Sequence, residues 1–326
     1  MRHPDTPARP LVLLNQLGQG QLPDMAGVQV IDDDQTPAWL RSQDAEVLLT
    51  GPRNGWKTAP QQAPEGWPGR LRWVHLASAG VDFFPAWLFD VPQVSCSRGV
   101  AADPIAEYVL SAMLEQVKQL HCRQVRHGRM IWSREFDRAV ARPLGTLKGQ
   151  TLGLLGYGAI GQAIARRALA FDMRILALRR SGQRIDAEGV TSVASLRELL
   201  ANSDHLVLAL PLTAETRHLI DAEALSHAKP GLHLINIARG ALLDHDALRA
   251  ALDRGALAAA TLDVTEPEPP PQGHWLYQHP RVRLTPHISW SASDGPAATA
   301  LKFQHNLVRY LKGDALIDRV DPSKGY

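Results

Sequence analysis

The sequence has few cysteines, no excess of one charge and no long apolar run. Its 326 residues include two cysteines, Cys96 and Cys122, which is too few for a disulfide framework and not a CxxC pair. The 35 basic and 33 acidic residues leave a net charge of +2, so we expect no nucleic-acid and no membrane partner. No segment approaches the ~18–20 apolar residues of a membrane span, and no apolar stretch of signal-peptide length follows "MRHPDTPARP". We therefore expect a cytoplasmic, enzyme-like protein.

The first hundred residues alternate short apolar runs with polar stretches, a pattern typical of a parallel α/β layer. The segment 52–70 is rich in proline and glycine and predicts a loop. Five strands are predicted, at "LVLL" (11–14), "VQVI" (28–31), "EVLL" (46–49), "RWVHLA" (72–77) and "QVSCS" (93–97).

A helical pattern begins at Pro104. Apolar residues recur at helical spacing from Ile105 to Leu120, and Gly128 follows, which predicts one long helix that connects two domains. Residues 150–288 then predict a doubly wound unit of six strands. These strands are 151–156, 174–178, 205–210, 232–237, 258–264 and 282–286.

A glycine-rich turn, "GLLGYGAIG" (153–161), joins the first of these strands to a helix. Gly156, Gly158 and Gly161 form G-x-G-x-x-G, which permits a tight turn, a close backbone approach to a pyrophosphate and close helix–strand packing. Ala159 and Ile160 supply backbone N–H groups at the helix start. The motif alone is weak evidence, but the strand before it, the helix after it and the second strand behind it predict a dinucleotide site.

The stretch "LALRRSG" (176–182) ends the second strand of this unit. An NAD site usually places a carboxylate there for the ribose 2′-hydroxyl. Arg179 and Arg180 would instead bind a 2′-phosphate, to which Ser181 adds a hydroxyl. We therefore expect NADP(H) as the preferred cofactor, with NAD(H) as the alternative. The competing interpretation is an exposed basic turn.

Three polar side chains follow strands of the same unit. Arg239 follows "LHLINI", Glu268 follows "AAATLDV" and His287 follows "VRLTP". Ligands of open parallel sheets bind outside the carboxyl ends of the strands. Each residue alone is ordinary. Together they suit a carboxylate-binding arginine and a proton-transferring histidine that is oriented by a glutamate.

Several stretches together resemble the D-isomer-specific 2-hydroxyacid dehydrogenases, and the resemblance covers nearly the whole chain. The order of the motifs is that of the family. They are "HLASAGVDFF" (75–84), "ADPIAEYVLSAML" (102–114), "GLLGYGAIGQAIA" (153–165), "LALPLTAETRHLI" (208–220), "INIARGALLDHDAL" (235–248), "ATLDVTEPEP" (260–269) and "LTPHISW" (284–290).

The resemblance implies a role for each motif. Arg239 would bind the substrate carboxylate, Glu268 would pair with His287, and Asp263 would face the nicotinamide amide. The backbone of Ser78, Ala79 and Gly80 would bind the substrate acid. We also assign cofactor contacts to Pro211, Thr216, Ile237 and Ala238. The family further implies a homodimer that pairs through the nucleotide domain.

Arg179 departs from the commonest family pattern, where many members have Asp, and resembles the NADP-preferring glyoxylate/hydroxypyruvate reductases. Glu266 lies two residues before Glu268 and stays an alternative for the acid. Trp290 would wall the substrate pocket, and Trp132 would reach a neighbouring active site across a dimer. The alternative for both tryptophans is core or interface packing.

The resemblance implies a Rossmann-type nucleotide domain inserted in a flavodoxin-like substrate domain, both doubly wound parallel α/β sheets. Because the segment from Ser291 to Lys312 is again helical, we expect it to return to the first domain. The substrate domain would then comprise 1–102 and 289–326, and the nucleotide domain 103–288.

The predicted activity is the NADPH-dependent reduction of a small 2-keto acid, glyoxylate or hydroxypyruvate, to the D-2-hydroxy acid, without a metal. One alternative is a dehydrogenase for a bulkier or different acid. The other is a nucleotide-sensing scaffold without turnover.

Overall fold

The chain forms two α/β units in a computed structural model, which describes residues 10–18, 22, 26–125, 128–179 and 184–322. The terminal unit comprises Met1–Ala101 and Ala292–Tyr326, and the central unit comprises Ala102–Ser291. The first boundary lies one residue earlier than the sequence placed it, and the second lies three residues later.

The terminal unit contains a parallel five-stranded sheet in the order β2-β1-β3-β4-β5, which is the flavodoxin-like order. Strands β1, β3 and β4 are buried along their whole length, as expected for apolar runs that are covered on both faces of a sheet. The strands are β1 (Leu11–Asn15), β2 (Val28–Asp32), β3 (Val47–Thr50), β4 (Trp73–Leu76) and β5 (Gln93–Cys96).

The central unit contains a parallel seven-stranded sheet in the order β12-β11-β10-β9-β6-β7-β8. The chain adds strands first on one side of β6 and then on the other, which makes the sheet doubly wound. The expectation of six strands was wrong by one. The additional edge strand, β8, has the sequence "VTS" and is too short to stand out as an apolar run. The strands are β6 (Thr151–Leu155), β7 (Arg174–Leu178), β8 (Val190–Ser192), β9 (His205–Leu208), β10 (Leu232–Asn236), β11 (Leu257–Leu262) and β12 (Val282–Leu284).

The connector helix is shorter than predicted. It ends at Lys118, Gln119 has a φ of 53°, and a 3-10 turn follows at Leu120–Arg123. Leu120 is 61% exposed, so the apolar face that would hold the helix against the unit ends before it. The helices are α1 (Ala102–Lys118), α2 (Gly128–Ala141), α3 (Ala159–Leu169), α4 (Leu196–Asn202), α5 (Ala222–Ser226) and α6 (His245–Asp253).

The last helix, α7 (Gly295–Lys312), belongs to the terminal unit, as the discontinuous arrangement requires. It begins four residues later than the sequence suggested. Phe303 and Leu307 are fully buried, and the Phe303 ring stacks on Trp73 with ring centroids 5.1 Å apart. The second face of the same sheet packs on a separate apolar cluster that includes Trp56 and Trp87. The returning helix thus covers one face of the five-stranded sheet.

Candidate active site

The glycine turn has the geometry of a dinucleotide cradle. Gly156 has a φ of 106°, and a Cβ on it would lie 2.4 Å from the Ala209 carbonyl oxygen. A Cβ on Gly161 would lie 2.5 Å from the Gly156 oxygen. A Cβ on Gly158, by contrast, would have no heavy atom of the described residues within 4 Å, apart from its chain neighbours. Since α3 begins at Ala159, this open side exposes the first N–H groups of a helix, where phosphates bind.

Arg179 lies directly beside this turn. Its Nη2 donates to the Tyr157 carbonyl oxygen at 3.3 Å, and its guanidinium carbon lies 5.8 Å from the centroid of the Tyr157 ring. The side chain is half-buried. A permanent positive charge therefore stands at the end of β7, next to the glycine cradle. Arg180 and Ser181 lie outside the described residues.

The loop after β9 is folded by a buried threonine. Thr216 Oγ1 donates to the Pro211 carbonyl oxygen at 2.8 Å and accepts from the Thr213 N–H at 2.7 Å. The His218 N–H donates to Ala241 O at 2.7 Å, which joins this loop to the segment after β10. Pro211 and Thr216 thus lie at the carboxyl end of β9, beside β6.

The turn that carries Arg239 is clamped by Asn236. The Asn236 amide accepts from the Ala238 N–H at 3.1 Å and donates to the Arg239 carbonyl oxygen at 2.8 Å. Arg239 has an extended backbone and a half-buried side chain. Of the two predicted cofactor contacts here, Ile237 is buried and Ala238 is half-buried.

Gly240 brings the arginine turn onto the acid loop. A Cβ at this position would lie 2.0 Å from the Thr265 carbonyl carbon and 2.5 Å from the Glu266 nitrogen, so only glycine fits. The loop after β10 and the loop after β11 therefore touch through their backbones. This contact places Arg239 and Glu268 on adjoining loops.

Glu268 and His287 form the pair that the sequence predicted. His287 Nδ1 lies 2.8 Å from Glu268 Oε1, with side chains 23% and 43% exposed. Because a carboxylate only accepts, Nδ1–H is the donor. Burial by itself would raise the pKa of Glu268, but the hydrogen bond and charge of His287, with a smaller contribution from Arg239, hold that pKa below its ordinary value. Arg239, Glu268 and His287 thus share one electrostatic environment.

Glu266, the alternative acid, has other partners. Arg217 Nη1 and Nη2 contact its two oxygens at 3.0 and 2.8 Å, and His218 Nε2 lies 3.3 Å from Oε2. Of the two glutamates, Glu268 is therefore the one that contacts His287.

Asp263 holds the histidine loop. Its buried carboxylate accepts from Thr285 Oγ1 at 2.6 Å, from the Ile288 N–H at 2.9 Å and from the Ser289 N–H at 2.8 Å. His287, between these contacts, has a φ of 54°, which is uncommon for a residue other than glycine. The contact predicted between Asp263 and a nicotinamide amide stays a prediction.

The remaining predicted residues occupy defined places. Ser78, Ala79 and Gly80 follow β4 in the terminal unit, where Ser78 Oγ donates to Gly80 O at 2.7 Å. Trp290 is exposed, and its Nε1 donates to the His287 carbonyl oxygen at 2.7 Å, so the indole supports the histidine loop. Trp132 is exposed on α2. Substrate contacts by these residues stay predictions.

Sequence reasoning missed two hydroxyl groups near Asp263. Tyr108, on α1, lies 2.6 Å from Thr285 Oγ1 through its hydroxyl oxygen. A tyrosine on the apolar side of a helix needs a partner for its hydroxyl, and this was the available signal. Nothing in the sequence indicated that the partner would lie 177 residues away.

Two further properties concern the described residues as a whole. They contain no group of three or more His, Cys, Asp or Glu side chains that is placed to hold a metal ion. None of their helices combines the length and apolar character that crossing a bilayer requires.

The chain is similar to known proteins over most of its length. A profile of the D-isomer specific 2-hydroxyacid dehydrogenase, NAD binding domain, matches residues 110–289. Over 271 residues the chain is 35% identical to glyoxylate/hydroxypyruvate reductase A of Serratia proteamaculans (strain 568), and the match covers 79% of this chain and 82% of that protein.

Two solved structures share the fold. One is a D-isomer specific 2-hydroxyacid dehydrogenase of Xanthobacter autotrophicus Py2 in complex with NADPH and MES, with 28% identity, a TM-score of 0.76 and coverage of 98% of this chain and 100% of that one. The other is the apo D-mandelate dehydrogenase of Rhodotorula graminis, with 26% identity, a TM-score of 0.79 and coverage of 96% and 98%.

Proposed function

This chain belongs to the D-isomer-specific 2-hydroxyacid dehydrogenase family, and we propose that it reduces glyoxylate or hydroxypyruvate to the D-2-hydroxy acid with NADPH. It is an oxidoreductase with an NAD-binding domain. The observation that carries the proposal is the 2.8 Å contact between His287 and Glu268, because the loop of Glu268 adjoins the Arg239 turn. These are the groups that a 2-keto acid needs: a cation for its carboxylate and a proton donor for its carbonyl oxygen.

The dinucleotide would lie on the glycine cradle. The open side of Gly158 and the N–H groups of Ala159 and Ile160 would hold the pyrophosphate. Arg179 would bind the 2′-phosphate that distinguishes NADPH from NADH. When bound, the nicotinamide supplies the hydride that reduces the carbonyl carbon.

Three side chains bind the substrate and transfer the proton. Arg239 binds the substrate carboxylate and draws electron density from the adjacent carbonyl. His287 donates the proton of Nε2 to the alkoxide oxygen as it develops, because Nδ1–H is engaged by Glu268. Glu268 stabilises the imidazolium and fixes the orientation of the ring.

The preference for a small acid is supported by the similarity to the glyoxylate/hydroxypyruvate reductase of Serratia. The D-mandelate dehydrogenase of Rhodotorula supports the alternative of a bulkier acid. A panel of 2-keto acids, each assayed with NADPH and with NADH, decides between them. We expect the highest kcat/KM with glyoxylate or hydroxypyruvate and NADPH. Absence of turnover with every acid and both cofactors would instead favour a nucleotide-sensing scaffold.

Reversing the charge at position 179 tests whether Arg179 sets the preference for NADPH. Charge-assisted hydrogen bonds contribute about 1.5–3 kcal/mol each, so one of them gives roughly 10- to 10²-fold preference for NADPH and two give up to about 10⁴-fold. Salt screening at a half-buried side chain should bring the preference toward the lower end. The preference should act through KM, because the contact is remote from the reacting atoms. Arg179→Asp should reverse it. Equal use of both cofactors by the unaltered protein, or unchanged KM values in Arg179→Asp, would contradict the assignment.

We also propose a homodimer that pairs through the central unit. Helix α2 exposes Trp132, Phe136 and Val140, at 65%, 63% and 66% of their surfaces. A groove of about 640 Å³ between α1 and α3 is lined by Leu110, Leu114 and Phe171, among others. Exposed apolar surface of this kind marks protein interfaces.

Light scattering should give twice the chain mass, and Phe136→Asp should halve it. A monomer at micromolar concentration would contradict the proposal.

A further inference from the structure

A chain of hydroxyl hydrogen bonds ends on the carboxylate of Asp263. The Tyr108 hydroxyl lies 2.6 Å from Thr285 Oγ1, which lies 2.6 Å from Asp263 Oδ1. The carboxylate only accepts, so Thr285 donates its one proton to Asp263, and Tyr108 must donate to Thr285. Burial raises the pKa of Tyr108, which keeps the phenol protonated as this direction requires.

Asp263 also accepts hydrogen bonds from the loop that carries His287. Its Oδ1 also accepts from the Ile288 N–H, its Oδ2 accepts from the Ser289 N–H, and its backbone oxygen accepts from the His287 N–H at 2.8 Å. His287 is therefore tied at its own nitrogen and on its C-terminal side. A left-handed backbone at a non-glycine residue persists only where the surroundings hold it. These bonds do so at His287.

We propose that Tyr108 and Thr285 are positioning residues for His287. Their hydroxyls fix the Asp263 carboxylate, and Asp263 holds His287 in the left-handed conformation that places Nδ1 on Glu268. This inference rests on the proposed role of His287 as the proton donor. Tyr108 and Thr285 act through Asp263 rather than on the substrate.

Tyr108→Phe removes one hydroxyl and keeps the ring. Misplacement of a reacting group by about 1 Å can cost up to roughly 10²-fold, so we expect about a 10-fold loss of kcat for reduction. The KM for the keto acid should stay nearly unchanged, because Arg239, the proposed binding group for its carboxylate, is not altered. Tyr310→Phe is the matched control: the Tyr310 hydroxyl donates to Glu46 at 2.7 Å in the terminal unit. Its kcat should equal that of the unaltered protein.

Thr285 provides a rescue experiment. Thr285→Val keeps the shape and removes the hydroxyl, and it should lose at least as much kcat as Tyr108→Phe. Thr285→Ser restores the hydroxyl and should recover most of the activity. If Thr285→Val does not fold, Tyr108→Phe and Thr285→Ser still decide. Loss of activity in Thr285→Ser equal to that in Tyr108→Phe would overturn the inference.

Hydrogen–deuterium exchange supplies a measurement that does not depend on turnover. Without cofactor, exchange in the peptide 284–291 should be faster in Tyr108→Phe and unchanged in Tyr310→Phe. In a His287→Ala background, Tyr108→Phe should cause no further loss of kcat, because it acts through the histidine. Unchanged exchange, unchanged kcat, or an additive loss in the double variant would each overturn the inference. Normal turnover of His287→Ala alone would instead refute the proton donor, while the exchange result would still test the loop.

Discussion

Two histidine–glutamate pairs use glutamates of the same loop, the one after β11, and differ in one decisive respect. His218 contacts Glu266 at 3.3 Å and His287 contacts Glu268 at 2.8 Å, and both histidines have positive φ, 51° and 54°. Glu266, however, also accepts hydrogen bonds from both Nη1 and Nη2 of Arg217. Its pKa is lowered first by this arginine, whereas the pKa of Glu268 is lowered, against the effect of burial, mainly by its histidine.

Under the proposed mechanism, this difference decides which pair can take part in proton transfer. A guanidinium is a permanent charge, so Glu266 is balanced whether or not His218 is protonated. Glu268 instead points Oε1 at Nδ1 of His287, 2.8 Å away, so its charge lies directly on the imidazole ring. His287 is also the less exposed histidine, 23% against 48%, which strengthens the coupling. Residue types and backbone conformation are alike in the two pairs. The other partners of the glutamate separate them.

The largest expected effect separates the two histidines. His287→Ala should lower kcat/KM for reduction by about 10²-fold or more, the usual size of general acid catalysis, while His218→Ala should stay close to the unaltered protein. Steady-state kinetics of the two variants with the same keto acid measure the difference. Similar losses in the two variants would remove the distinction.

The two arginines should differ next. Arg239→Lys keeps the charge but loses the planar fork, at about 1.5–3 kcal/mol for a charge-assisted hydrogen bond, so kcat/KM should fall roughly 10- to 10²-fold. Arg217→Lys makes the same change on Glu266 and should leave turnover nearly intact. Circular dichroism checks that both variants fold. Near-normal kcat/KM in Arg239→Lys would contradict bidentate binding of the substrate.

The smallest effect concerns the stability given by Glu266. Its folded-state pKa lies below the ordinary 4.5, so the pair stabilises the fold above pH 4.5 and this contribution is lost as the pH falls through the lowered pKa. Because Arg217 and Glu266 are 51% and 38% exposed, the contribution should be below about 1 kcal/mol. Urea unfolding of Glu266→Gln at pH 7 and pH 4 measures it.

The matched variant of this experiment is Glu268→Gln. It should lower kcat/KM by about 10-fold or more, since a neutral amide cannot stabilise the imidazolium. Glu266→Gln should leave kcat/KM unchanged. An equal loss of turnover in both variants would mean that the acid loop acts as one unit.

The positions of Arg239, Glu268 and His287 could be predicted because parallel strands end at one edge of a sheet. Three apolar runs, each followed by one polar group, suffice for that inference. The choice between Glu266 and Glu268 could not be made from spacing alone, because it depends on which acid Arg217 reaches across the loops. Sequence reasoning also continued α1 past Lys118, since periodicity does not reveal where the covering surface ends. The contact of Tyr108 with Thr285 is equally non-local.

His287 follows β12, a three-residue, half-buried strand at the edge of the sheet, whereas the glycine cradle follows the interior strand β6. An edge strand is the part of a sheet that opens at least cost in free energy. On warming, the protein should therefore lose the contact between His287 and Glu268 while the glycine turn is still folded. At such temperatures, more molecules should bind the cofactor than catalyse the reaction. Inactivation by heat should then begin with the opening of β12 rather than with unfolding of the whole chain.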